Sequence, residues 1–295
     1  MEISSAVQLQ ELCSSKKKAL PEIIAEYEAF RASKTTEQVR KDMAQILAVM
    51  RSSVEEGIKD KGEYAHIVKG YGVRVKDAIG QGKLLGDGLL QKVILYSLAV
   101  AQHNASLGRI VACPTAGSCG VVPGALLPIA EELGSTNDEL IDALFVMGGV
   151  GIVSASQGPI SGAEGGCQAE CGVASAMAAG AITYLAGGTN EAVFDAASLA
   201  LQSHLGLVCD PIASLVEVPC VTRNATSAVN AIVASNMVLA GIPAVVPFDE
   251  TVAAMKAVGR AMPETLRETS QGGLAVTPTG RRIFKEMRRK YSLEN

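Results

Sequence analysis

The run GCQAECGVASAMAAGAITYL, residues 166–185, is dominated by Ala, Gly, Ser and Cys. β-Branched residues do not alternate along it, so it does not read as a strand. Small side chains let helices approach closely, and the run predicts a helix over 166–185 that is packed on every side. The same texture extends outward from 89 to 259, where small apolar runs alternate with glycine-rich turns. It predicts further helices over 89–105, 120–132, 138–153, 191–203, 227–239 and 251–258. Upstream the chain is richer in Lys, Glu, Gln and Ser. There Val39, Met43, Ile46, Leu47 and Met50 fall at helical spacing, which predicts an amphipathic helix over 36–58 capped by Thr35 or Thr36. A helix over 20–31 carries Pro21 in its first turn. The segment GYGVRVKDAIGQGKLLGDG, 70–88, reads as a glycine-rich linker, and 279–290 as a polar helix with a basic end. The fold class is mainly α, with glycine-rich loops between helices. Two parts are expected: an N-terminal helical segment, 1–60, and a helical domain, 61–295.

A chain of 295 residues is ample for a sizeable core. A net charge of −4 and a pI near 5.5 argue against a nucleic-acid partner. Stretches 143–163, 171–190 and 224–248 lack Asp, Glu, Lys and Arg and are long enough to cross a bilayer. Yet they are built from Ala, Gly, Ser, Thr and Val, contain Gln157, Pro159, Asn230, Asn236 and Pro243, and have no Trp to anchor them. A soluble protein with unusually apolar central helices is the expectation, with no membrane partner. The opening MEISSAVQLQ has no basic stretch followed by an apolar run, so a cytoplasmic setting is expected. Seven cysteines in a reducing compartment point to metal binding or catalysis rather than to disulfides.

No lysine occurs between Val93 and Thr251, so the apolar centre offers no internal Schiff base unless Lys92 or Lys256 reaches in. The three histidines, His66, His103 and His204, form no zinc motif. His103 and His204 remain candidates for a general base, or for hydrogen-bonded structural histidines. Three cysteines stand in small, uncharged surroundings: Cys167 in GAEGGCQAE, Cys209 in LGLVCDPIA and Cys220 in VEVPCVTRN. Prolines beside Cys209 and Cys220 stiffen the loops that would hold a metal ligand. Cys113, Cys119 and Cys171 are further candidates, and any one of these thiols taken alone reads equally as core filler. The loop PTAGSCGVVPG, 114–124, offers backbone N–H groups and the hydroxyls of Thr115 and Ser118 to a carboxylate or phosphate. Only Arg109 and Arg223 interrupt the lysine-free zone. Each suits a substrate carboxylate, or an ion pair with Glu164, Glu170, Asp210 or Glu217.

Taken together, SGAEGGCQAECGVASAMAAG, HLGLVCDPIASLVEVPCVTRNATSAVNAI and CPTAGSCGVVPG resemble the iron–sulfur L-serine dehydratases, in particular the alpha chain of the two-subunit type. The cysteines keep that family's order and its gaps of 209 − 167 = 42 and 220 − 209 = 11 residues. The resemblance implies a helical catalytic domain converting L-serine to pyruvate and ammonia. It implies Cys167, Cys209 and Cys220 as ligands of a 4Fe–4S cluster whose fourth iron is open to the substrate hydroxyl. Thr115, Gly117, Ser118 and Arg223 are the expected substrate-binding residues. Single-chain relatives carry an N-terminal module whose Ser-His-Thr segment offers a candidate base. No Ser-His-Thr occurs here. The resemblance therefore implies a hetero-oligomer with a separate beta chain, which in such enzymes resembles that module, in some with an ACT regulatory domain. Some relatives end in a cysteine that folds onto the open iron, whereas this chain ends in YSLEN. A related dehydratase or desulfidase acting on threonine or cysteine is the nearest alternative. An electron-transfer iron–sulfur protein, with a fourth cysteine ligand, is the alternative from another class.

Overall fold

A computed structural model describes residues 3–290, so the terminal YSLEN lies outside the described residues. Thirteen α-helices form among them and no β-strand. α1 (Ala6–Lys16), α2 (Leu20–Ala32) and α3 (Thr36–Gly57) come first. Thr35 caps α3: its hydroxyl accepts from the Gln38 N–H at 3.2 Å, and the Gln38 side chain accepts from the Thr35 N–H at 2.8 Å. α4 (Tyr71–Gly80) lies inside the segment expected to be a linker. Its glycines are contact points rather than punctuation. A Cβ on Gly72 would stand 2.7 Å from the Gly57 carbonyl oxygen, so glycine there lets α4 close on α3 and on α5 (Gly88–Ala105).

α6 (Val121–Leu133) lies against α5, where a Cβ on Gly124 would come within 2.8 Å of the Ser97 Cα. α7 (Asn137–Gln157) is the one described helix long and apolar enough to cross a membrane, and most of it is buried inside the protein. After α8 (Gly162–Gly165) come α9 (Val173–Leu185), α10 (Asn190–Gln202), α11 (Cys220–Leu239), α12 (Phe248–Ala261) and α13 (Pro278–Lys290). α9 is the hub, packed on α6, α7, α10 and α11. Its Ala and Gly side chains leave room for that: a Cβ on Gly180 would lie 2.9 Å from Val150 of α7.

Two differences from expectation lie at the cysteines. The helix expected over 166–185 begins only after Gly166, at φ +77°, and its first residues, Gln168–Gly172, form a π turn that runs on into α9. A side chain at Gly166 would meet Met262 and the Leu207 carbonyl, so only glycine turns the chain there. α11 starts at Cys220, seven residues earlier than expected. The compositional change near residue 60 marks no separate core. Leu9, Ile24, Leu47 and Met50 share one apolar core with Leu126, Leu144 and Val173.

Candidate active site

Three segments converge. Cys167 immediately precedes the π turn, Cys209 follows α10 in an extended segment, and Cys220 is the first residue of α11. Cys209 is held by its backbone, its N–H donating to the Leu266 carbonyl at 2.9 Å and its carbonyl accepting from the Glu268 N–H at 2.7 Å. Cys167, Cys171 and Cys209 pack together in the interior. Cys220 is partly exposed, close enough for its thiol to feel Cys167, Glu170 and Arg223. All of these cysteines are free. The Cys167 thiol is held below the usual range because Cys171 donates to it, with the Arg223 guanidinium beside it and burial opposing. Cys171 is correspondingly pushed up. Burial, with the neighbouring acidic groups, pushes the Cys209 thiol up and raises Cys220 to about 12. Among the described residues no three His, Cys, Asp or Glu side chains converge on a single ion. The thiols of Cys167, Cys209 and Cys220 lie near enough to influence one another and none is bridged; thiols are soft donors.

The family model described as the serine dehydratase alpha chain matches residues 15–275. The chain belongs to the serine dehydratase alpha chain family. It is 44% identical over 280 residues to the "probable L-serine dehydratase, alpha chain" of Bacillus subtilis, covering 95% of this chain and 93% of that one. Identity is 38% over 286 residues to the L-serine dehydratase alpha chain of Peptoniphilus asaccharolyticus, with 96% and 98% covered. The L-serine dehydratase of Helicobacter pylori strain 26695 is 35% identical over 285 residues, which is 94% of this chain but 62% of that longer one.

In this alpha chain the loop 113–120 closes over the cysteines. Thr115 Oγ1 donates to Glu170 Oε1 at 2.8 Å, and Gly117 lies beside the same carboxylate. Ser118 departs from the expected role. It is fully buried, and its hydroxyl donates to the Cys113 carbonyl at 2.8 Å, within its own loop. Asn224 fastens this loop to α11. Its amide donates to the carbonyls of Gly117 and Cys220, both at 2.8 Å, and its oxygen accepts from the Gly120 N–H at 2.8 Å. Arg223 is committed to Asp210, 2.9 Å away, and to the Val208 carbonyl at 2.8 Å, so the ion-pair reading of this arginine holds and its guanidinium faces Cys167. Arg109 is exposed and joins none of these groups.

Neither candidate histidine is free at the cysteines. His204 is buried, with Nδ1 on the Ala200 carbonyl and Nε2 on the Ser227 hydroxyl, each at 2.9 Å, and burial lowers its pKa. His103 sits between Asp60 and Glu56, 3.2 Å from each. Cys113 and Cys119 belong to the apolar core, where burial pushes both thiols up, Cys113 to about 12. Asn224 takes part in the site without having been singled out in the sequence, whereas Asp210 and Glu170 were named there only as possible ion-pair partners of an arginine, which Asp210 is and Glu170 is not. For Glu170 a signal existed, since it is the one charged residue between 165 and 190.

Proposed function

We propose that this chain is the catalytic alpha chain of an L-serine dehydratase, which converts L-serine to pyruvate and ammonia. In this reading Cys167, Cys209 and Cys220 hold a 4Fe–4S cluster with one iron left without a protein ligand. The observation that carries the reading is the proximity of these three free thiols, brought from three separate segments, in a chain aligned nearly end to end with relatives named L-serine dehydratase alpha chain. When bound, such a cluster supplies a Lewis acid at its open iron, which makes the substrate hydroxyl a tolerable leaving group.

The chain's own residues hold and shield that chemistry. The Arg223 guanidinium and the Cys171 thiol both stabilise negative charge on Cys167. Asp210 fixes Arg223, and also accepts the Leu274 N–H at 2.7 Å, tying the loop after α12 to the site. In this reading Cys171 donates a hydrogen bond to the ligand Cys167 and is not itself a fourth ligand. Thr115 and Gly117 border the space left for substrate. The base that removes the α-proton is supplied by a beta chain, since both candidate histidines are engaged elsewhere. The aligned region is 62% of the Helicobacter pylori relative, which has further residues outside it. Unbridged thiols and the burial of α7 favour a soluble, reducing setting, and the alpha-chain naming of the relatives supports a hetero-oligomer.

Anaerobic reconstitution with iron and sulfide, with and without the beta chain, tests the reading. The expected result is cluster absorption in the alpha chain alone, and pyruvate from L-serine only when the beta chain is present. Absence of cluster uptake rejects the iron–sulfur assignment. Full activity of the loaded alpha chain alone rejects the base on the partner.

A further inference from the structure

Between Gly165 and Thr183 every residue is buried except Glu170. Glu170 is thus the one partly exposed residue of an otherwise sealed stretch, at the π turn, among the cysteines. Its Oε1 accepts from the Thr115 hydroxyl at 2.8 Å, and its Oε2 from the Cys209 thiol at 3.8 Å. No lysine or arginine pairs with it among the described residues, and the nearest charge of consequence is another carboxylate, Glu268. The arginine at the site is held by Asp210. Glycine at 162 makes room for this arrangement, because a Cβ there would stand 2.7 Å from Oε2. A partly buried carboxylate that lacks a cation is unfavourable unless a cation arrives.

A further step rests on the function proposed above. A cysteine that ligates iron does so as a thiolate and has no proton to donate. With Cys209 as an iron ligand, Oε2 would be left without that donor, while Thr115 holds Oε1 in place. The geometry points to Glu170 as the receptor of the α-ammonium group of the substrate amino acid: Oε2 takes an ammonium hydrogen bond in place of the lost thiol. Opposite charge sets the choice, since neither the carboxylate nor the hydroxyl of an amino acid brings a positive group. Glu170 is then what separates a 2-amino-3-hydroxy acid from the 2,3-dihydroxy acid of the same size.

The test uses the anaerobically loaded alpha chain in complex with its beta chain, titrated with L-serine and with glycerate, which bears a hydroxyl in place of the ammonium. The perturbation of the cluster's visible and paramagnetic-resonance spectra gives each dissociation constant. Glu170→Gln is expected to weaken L-serine about 10- to 100-fold, the worth of one charge-assisted hydrogen bond, and to leave glycerate unchanged. Glu170→Asp, which keeps the charge, is expected to fall between. Equal weakening of both ligands, or unaltered serine binding, overturns the assignment. So does a Glu170→Gln protein that takes up no iron, because the carboxylate then serves the cluster rather than the substrate. If the native complex takes up no cluster, or its spectrum ignores L-serine, the underlying reading of the site falls with it.

Discussion

Cys167 and Cys171 stand four residues apart on the same turn, yet their chemistry differs: one is held toward the thiolate, and the other keeps its proton and donates. Replacing Cys167, Cys209 or Cys220 by Ala is therefore expected to abolish the visible absorption of the loaded chain. Cys171→Ala should retain it, as should Cys13→Ala in α1. Iron and sulfide content, measured beside the spectrum, checks each case, and loss of the cluster in Cys171→Ala would make that thiol a ligand. His204 offers a pH test apart from the cluster. Burial depresses its pKa below the ordinary value of 6.5. The folded protein thus refuses a proton that the unfolded chain accepts. Its contribution is complete above about pH 6.5 and is lost as pH falls toward the folded pKa, by at most about 1.4 kcal/mol per pH unit. Unfolding midpoints at pH 7.5 and 5.5 should differ less in His204→Gln than in the native chain. An unchanged difference would remove His204 from the acid response.

Helices and glycines at the next scale decide whether the thiols can meet. Asn224 joins loop 113–120 to the first turn of α11 with three hydrogen bonds, and it is fully buried. Asn224→Ala orphans the Gly120 N–H and the Gly117 carbonyl. It should cost about 2–4 kcal/mol in urea unfolding, at the usual penalty of about 1–3 kcal/mol per orphaned group. Gly124→Ala should cost about 1–3 kcal/mol by the same measurement, because its methyl would be driven into Ser97 of α5. Wild-type stability in either variant would mean that the contact is relieved by a shift of the loop or helix. Much of this level was legible in the sequence. Periodicity located α3, and the small apolar runs located α5, α7 and α10 to within a few residues. What the sequence concealed was tertiary in origin. The run 166–185 looks uniform, and nothing in it announces that Gly166 must turn away from Met262 and Leu207. α4 was hidden because a glycine that lets two helices touch looks the same as a glycine that ends one. The cysteine trio was legible through its flanking motifs. Glu170 stood out as the one charged residue between 165 and 190, but its partner did not, because that is Thr115, 55 residues away, and not an arginine.

At the scale of the whole molecule, the thiols stand on three parts of the chain that a body held by all of them would tie together. Cys167 belongs to the turn into the central helix α9, Cys209 is anchored by backbone to the loop after α12, and Cys220 opens α11. Burial and acidic neighbours push the thiols of Cys209 and Cys220 up. Binding that needs all three segments in place is denied to the unfolded chain, so its free energy adds to the stability of the fold. A body held about a thousandfold more tightly than its free concentration requires would contribute about 4 kcal/mol, or roughly 8–16 °C in the melting midpoint of a chain of this size. Calorimetry of the anaerobically loaded and cluster-free chains should show that rise, and Cys220→Ala should erase it, because one severed segment leaves the pocket unlinked. Superimposable melting curves with and without iron and sulfide would mean that the pocket is set by the helices alone and gains nothing from what it holds.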